Sequence, residues 1–370
     1  MRSQAELADV IAALGNGVAN LNLVGGKLAT LRAIKNCRTQ ALGGHVDACT
    51  DCGVVKISYN SCRNRHCPKC QGHKKQEWIE ARQAELLPVT HFHVVFTLPN
   101  ELNRLALYQP KLVYDCLFIA AWQTLQFFGD KQDLQMGMVS VLHTWGQTLS
   151  LHPHLHCIVP GGGLTKQKQW KPIGNDGKFL FAVKAMSKVY RAKYVAALRS
   201  KGFNDKALIE SLFKKDWVVY AKRPFGNVHT VVEYLARYTH KIAISNSRIK
   251  AVTQSEVTFT YKDYKQGGLT KTMTLSHQEF VRRFAQHILP KRFVRIRHFG
   301  FLSSTGKRLY LKNLQASMHY EKVAVVAMGT KLHCCPHCKT PTMVTICIFD
   351  RRGPPKKYLR VTKLIPTTLV

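Results

Sequence analysis

His154 and His156 lie two residues apart in an apolar run that Gly161-Gly162-Gly163 brings to an end. Side chains of a strand alternate between its two faces, so both imidazoles point one way and Leu155, Cys157 and Val159 point the other. A lone strand histidine is usually a packed or surface residue. Two adjacent imidazoles on one face are a natural pair of ligands for a divalent ion.

Cysteines offer a second chemistry. Residues 37–73 carry, in order, Cys37, His45, Cys49, Cys52, Cys62, His66, Cys67, Cys70 and His73. Cys49-x-x-Cys52 and Cys67-x-x-Cys70 stand fourteen residues apart, and Gly53 suits the tight turn of a knuckle. Two knuckles close a tetrahedron, which predicts one Zn²⁺ on Cys49, Cys52, Cys67 and Cys70. Four thiolates leave no open position, so that ion is structural. Cys37, His45, Cys62 and His66 remain for a second site, or for core and surface. Arg63, Arg65, Lys69, Lys74 and Lys75 give this module a face that suits either DNA backbone or plain solvent. Near the other end, Cys335-x-x-Cys338 is half a knuckle, which Cys347 and His333 or His337 could complete. A third motif is Tyr234 and Tyr238, four apart and therefore on one face of a helix. Taken alone, such a pair more often belongs to a core than to a reaction.

The elements that must position these residues follow from periodicity. Apolar residues at helical spacing predict two short helices over residues 1–36, a short helix over Glu77–Leu87, a long helical stretch over 101–128 and helices over 187–214. His91–Pro99 is a strand apolar on both faces, which suits the centre of a sheet. His91 and His93 share a face there, most simply as core-edge residues. Met138–Trp145 alternates as a strand, Gly146-Gln147 breaks it, and the His154/His156 strand follows, as two antiparallel strands joined by a loop. Gly174-Asn175-Asp176-Gly177 reads as a hairpin tip, and Asp216–Tyr220 as a short strand. Residues 249–280 read as a hairpin around Lys265-Gln266-Gly267-Gly268. Residues 281–310 interleave Arg282, Arg283, Lys291, Arg292, Arg295, Arg297, Lys307 and Arg308 with Phe284, Phe293, Phe299, Phe301 and Tyr310. That mixture suits single-stranded nucleic acid, where bases stack and phosphates pair; a basic skin over an aromatic core would look the same. Residues 351–370 read as a basic, poorly ordered end.

Lys and Arg number 55 against 21 Asp and Glu, a formal net charge of +34 over 370 residues. The excess is spread along the chain, and nucleic acid is the polyanion that best accounts for it. No apolar run is long enough to span a membrane, and the N-terminus has no secretory pattern. Clustered C-x-x-C pairs point to metal in a reducing compartment rather than to disulfides. A cytoplasmic protein that meets nucleic acid is therefore expected.

Together these motifs resemble the HUH endonuclease superfamily, and more narrowly the rolling-circle transposases of the insertion sequence ninety-one family. The resemblance covers most of the chain. It rests on Ser61-Cys62-Arg63-Asn64-Arg65-His66-Cys67-Pro68-Lys69-Cys70-Gln71, the strand from His93 to Pro99, and His143-Thr144-Trp145-Gly146-Gln147 ahead of His152-Pro153-His154-Leu155-His156-Cys157. It rests equally on Tyr234-Leu235-Ala236-Arg237-Tyr238-Thr239-His240. The presence of both tyrosines is similar to the two-tyrosine branch. The resemblance implies an α+β fold, an HUH-type antiparallel sheet flanked by helices with an N-terminal zinc module. It also implies catalytic Tyr234 and Tyr238, which nick and rejoin single-stranded DNA at element ends and target through a 5′-phosphotyrosine intermediate. A divalent ion, Mg²⁺ or Mn²⁺, is expected on His154 and His156. Gln147 is taken as the third ligand, with His152, His91, His93 and His240 as competitors. Arg295 and Arg297 are taken as DNA-binding. With no Walker A motif, strand separation is expected to fall to a host helicase or to supercoiling. The expected division is 1–87 for helices and zinc module, 88–248 for the catalytic domain, 249–330 for a basic β-rich region and 331–370 for a Cys/His tail. A replication initiator or relaxase would share this chemistry. A non-enzymatic zinc-ribbon protein would share the charge and the knuckles only.

Overall fold

The computed structural model describes residues 5–70, 85, 87–173, 179–222, 242–318 and 334–360. The helix read over Glu77–Leu87, the hairpin tip at 174–177, both tyrosines, His240, His333 and residues 361–370 fall largely or wholly outside them.

The central sheet has five antiparallel strands in the order β12-β4-β5-β3-β8. They are β3 (His91–Thr97), β4 (Gly137–Trp145), β5 (Leu151–Pro160), β8 (Val219–Lys222) and β12 (Ile296–Gly300). The two-residue period of these strands sorts the chemistry. Phe92, Val94, Phe96, Met138, Leu142, Leu155, Cys157, Val159 and Val219 all enter one large apolar core. The alternate positions, His93, Val141, His143, His154, His156 and Ile158, lie on the other face. Two helices close the apolar side. The helix Pro110–Asp130 starts on a proline, which is pre-set for the first helical turn. It buries Val113, Leu117, Ala120, Ala121, Thr124 and Leu125 at spacings of three and four. The helix Val183–Ser200 adds Met186, Tyr190, Tyr194 and Leu198 to the same core.

A second core gathers Leu7, Val10 and Ile11 of α1 (Leu7–Leu14), Leu31 and Ile34 of α2 (Gly25–Lys35), and Phe280, Val281 and Phe284 of the helix His277–Gln286. The three-stranded sheet β11-β10-β9 contributes Ile249, Val257 and Phe259. Its strands are β9 (Ile249–Val252), β10 (Glu256–Asp263) and β11 (Leu269–Ser276). The expected hairpin is thus present, with β9 added at its edge.

Two expected boundaries shift. Strand β12, expected in the basic accessory region, completes the central sheet by pairing with β4 from Ile296↔Val141 to Gly300↔Gly137. Gly300 has φ +59, and a Cβ there would meet the Met136 carbonyl oxygen at 1.8 Å, so only glycine permits this pairing to end where it does. The Cys/His tail also pairs with a distant segment. Strand β13 (Met343–Phe349) pairs with β1 (Gly44–Cys49), which pairs in turn with β2 (Val55–Tyr59), in a sheet of order β13-β1-β2. Composition cannot reveal such long-range pairings. Among the described residues, no helix is long and apolar enough to cross a membrane.

Candidate active site

On the face of the sheet opposite the apolar core, one ligand nitrogen from each of His143, His154 and His156 comes within 4.8 Å of the others, and the group is buried. Register explains the third member. His143 of β4 stands directly opposite His154 of β5. Sequence reading expected Gln147 as the third ligand. Gln147 lies in the turn beyond β4, where strand register has ended, and its side-chain oxygen accepts from the Lys262 backbone N–H at 3.3 Å. The usable signal was the face shared by Val139, Val141 and His143, together with the short connection to β5.

The hydrogen bonds fix which nitrogens face the centre. His154 Nδ1 donates to the His152 carbonyl at 2.6 Å. A carbonyl only accepts, so His154 Nδ1 is turned outward, and its Nε2 lies 3.1 Å from His156 Nε2. The other nitrogen of His156, Nδ1, is 2.9 Å from His93 Nε2, and the two rings stack at 5.2 Å. Burial pushes His93 down to about 4, so it is neutral and able to accept. A ligand imidazole whose far nitrogen is held by an outer partner is the usual wiring of a metal site. His93 is so placed that it could orient His156, and His91 is tied to the Val89 carbonyl at 2.8 Å. His143 stacks on Trp145 at 4.5 Å. Three imidazole nitrogens so placed are a donor set that suits a divalent ion.

The cysteines form two clusters, not the one expected. Cys37, Cys62, Cys67 and Cys70 make the first, and Cys49, Cys52, Cys335 and Cys338 the second. Sγ separations are 3.5 Å for Cys37–Cys70, 3.6 Å for Cys62–Cys70, 3.5 Å for Cys52–Cys335 and 3.6 Å for Cys49–Cys338. Disulfide sulfurs would stand at about 2.05 Å. Four bonds of about 2.3 Å to a tetrahedral Zn²⁺ put sulfurs roughly 3.8 Å apart, so the donor set fits structural zinc twice. The predicted quartet fails for a geometric reason. The Cys49/Cys52 knuckle sits at the turn of the β1–β2 hairpin, whereas Cys62, Cys67 and Cys70 follow the return of β2 and reach the end of α2 beside Cys37. About five residues of strand, some 15–20 Å, separate the two ends. Backbone N–H groups of Cys52 and His337 point at Cys49 Sγ and Cys335 Sγ, each at 3.4 Å, as knuckle turns do.

The leftover histidines take no part in these clusters. His45 pairs with Asp47 at 3.3 Å. Buried His66 accepts from the Leu289 N–H at 3.4 Å, and desolvation holds it near 3. Cys347 donates to the Ile348 carbonyl at 3.7 Å.

The basic stretch 281–310 is more inward than its composition suggests. Phe284, Phe293 and Phe301 are buried, and Phe299 stacks on Trp122 at 5.4 Å. Arg297 pairs with Asp115 and lies over the Phe118 ring at 4.1 Å. Burial, and then the charge of Arg65, bring Arg295 down to about 10.

Comparison with known proteins follows this geometry. A family model described as a putative transposase matches residues 137–308, which take in all three site histidines and both tyrosines. One described as a transposase zinc-binding domain matches residues 18–98, which take in the first cysteine cluster and half of the second. The putative transposase y4qJ of Sinorhizobium fredii is 39% identical, over 96% of this chain and 98% of its own length. The chain belongs to the insertion sequence ninety-one family of transposases. The transposase for insertion sequence element IS801 of Pseudomonas savastanoi pv. phaseolicola is 29% identical over 85% of this transposase and 78% of its own length. No solved structure matches it. As a transposase it is a DNA-cleaving enzyme. Tyr234 and Tyr238 lie between β8, which ends at Lys222, and the buried residues Ile242–Ile244.

Proposed function

We propose that this transposase nicks and rejoins single-stranded DNA at element ends and target by rolling-circle chemistry, with Tyr234 and Tyr238 as nucleophiles. His143, His154 and His156 would hold one Mg²⁺ or Mn²⁺. The observation that carries the reading is the convergence of those three nitrogens on one face of the sheet, within the span matched by the transposase model. When bound, the divalent ion would polarise the scissile phosphate and orient it for in-line displacement.

The remaining work falls to the chain. A phenol is neutral at pH 7, with a pKa near ~10. The attacking tyrosine therefore gives up its proton as its oxygen bonds to phosphorus. The P–O3′ bond breaks, the departing oxygen ends as a 3′-hydroxyl, and the 5′-phosphate stays on tyrosine. Rejoining is the same displacement in reverse, so bond energy is conserved and no nucleotide cofactor is needed. The second tyrosine serves a second strand. His93 and the His152 carbonyl keep the two β5 imidazoles in the tautomers that face the centre.

Single-stranded oligonucleotides carrying the element ends, incubated with protein and Mn²⁺, should give a covalent protein–DNA band that survives denaturation. The double change Tyr234→Phe, Tyr238→Phe removes only hydroxyls. It should abolish the band while DNA binding persists. Peptide mapping should place the first adduct on Tyr234. An adduct on Tyr238 alone reverses the order, and one on neither tyrosine sinks the mechanism.

A further inference from the structure

Between the N-terminal segment and the catalytic body runs a groove of about 1220 Å³. That is somewhat above the roughly 300–1,000 Å³ of a typical small-molecule pocket. Its walls come from residues 22–30, 63–66, 106–114 and 286–292. Lys27, Arg63, Arg65, Lys291 and Arg292 line it, and among the described residues no carboxylate does. Arg65 is committed to the wall itself, donating to the Phe293 and Pro290 carbonyls at 2.5 and 2.9 Å. The other four cations form no salt bridge among the described residues. Burial already lowers Lys27.

Like charges gathered in a concave seam repel one another unless an anion joins them. One further feature favours a nucleic-acid strand over a compact anion. Tyr108 stands 78% exposed on the rim, at the end of the helix Asn103–Tyr108.

We propose that this groove carries the phosphodiester backbone of the substrate strand, with Lys27, Arg63, Lys291 and Arg292 on phosphates and Tyr108 as a platform for one base. It rests on the reading above that the substrate is single-stranded DNA. Exposed aromatic rings beside cations are how such strands are held without sequence preference.

The test uses full-length protein and a labelled single-stranded oligonucleotide over a series of salt concentrations. The triple change Lys27→Gln, Lys291→Gln, Arg292→Gln should weaken binding about tenfold or more. It should also lower the slope of log affinity against log salt by roughly 2, at about 0.7 per lost phosphate contact. Tyr108→Ala should cost at least about fivefold and Tyr108→Phe almost nothing, because stacking needs the ring and not the hydroxyl. Removing three exposed lysines elsewhere, by Lys188→Gln, Lys206→Gln and Lys214→Gln, should matter far less. Zinc content and melting temperature should not change in any of these proteins. The groove is the wrong place if the two triple variants lose affinity equally, or if the groove triple binds like the parent. It is equally wrong if only duplex binding suffers. Failure of the parent protein to bind single-stranded DNA would instead overturn the proposed function.

Discussion

The cysteine clusters and the histidine cluster are built from opposite materials. Each cysteine cluster presents four thiols, so a Zn²⁺ held there has no free position, and both clusters lie where distant segments need fastening. The first ties the end of α2 to the turn after β2. The second joins residues 289 apart, Cys49 and Cys338. The histidine cluster presents three imidazole nitrogens on two neighbouring strands, already held by the sheet. Three donors would leave an ion held there with further positions to fill. Ligand number and ligand origin thus separate an ion that holds the fold from one that can meet a substrate.

The sharpest way to break this comparison is to remove one histidine. His156→Ala should cut cleavage on the order of 10³-fold or more, since a metal's charge stabilisation amounts to several kcal/mol. It should still bind DNA and should keep about two zinc ions per chain by elemental analysis. Loss of zinc or of the fold would mean that the histidine cluster is structural as well.

The cysteine side is tested by paired changes. Cys67→Ser and Cys335→Ser should each release one zinc ion, leaving the other. Cys67→Ser should lower the melting temperature more, because its cluster adjoins the core formed with Leu31, Ile34 and Phe284. Release of both ions by either change would make the two clusters one cooperative unit.

A smaller effect probes the outer layer of the histidine site. His93→Phe keeps a ring but loses the nitrogen facing His156, and should weaken Mn²⁺ binding by about 10–100-fold. Titration calorimetry would detect it; unchanged affinity would leave His93 as simple packing.

The smallest effect concerns acid. Burial holds His91 and His287 at about 4, below their ordinary 6.5. The unfolded chain therefore binds more protons between those values. Their contribution to stability is complete above about 6.5 and is lost as pH falls towards 4. In urea titrations, His287→Gln should flatten that decline; an undiminished decline would assign it to other groups.

Much of the site was legible because strand parity is local. One apolar–polar alternation put His154 and His156 on the face opposite Leu155, Cys157 and Val159, and the structure agrees. The zinc chemistry was legible too, since C-x-x-C carries its own turn. Partner choice was not. Which knuckle meets which depends on where the β1–β2 hairpin turns, and on a strand near the other end of the chain that pairs with β1. The same limit hid His143. Its role comes from the offset between β4 and β5, which inter-strand hydrogen bonds and the clamped turn decide. Arg248 and Arg283 donate to the Gln147 and Thr148 carbonyls of that turn.

By itself, then, the sequence determined the kinds of ligand, the faces they occupy and the charge that selects a polyanion, because each depends on residue type and short-range spacing. Only the tertiary structure decided the company those residues keep: two zinc quartets instead of one, His143 in place of Gln147, and Arg297 drawn in against Asp115. Those outcomes depend on contacts between segments far apart in the chain, where packing and strand register choose among partners of equal chemical merit.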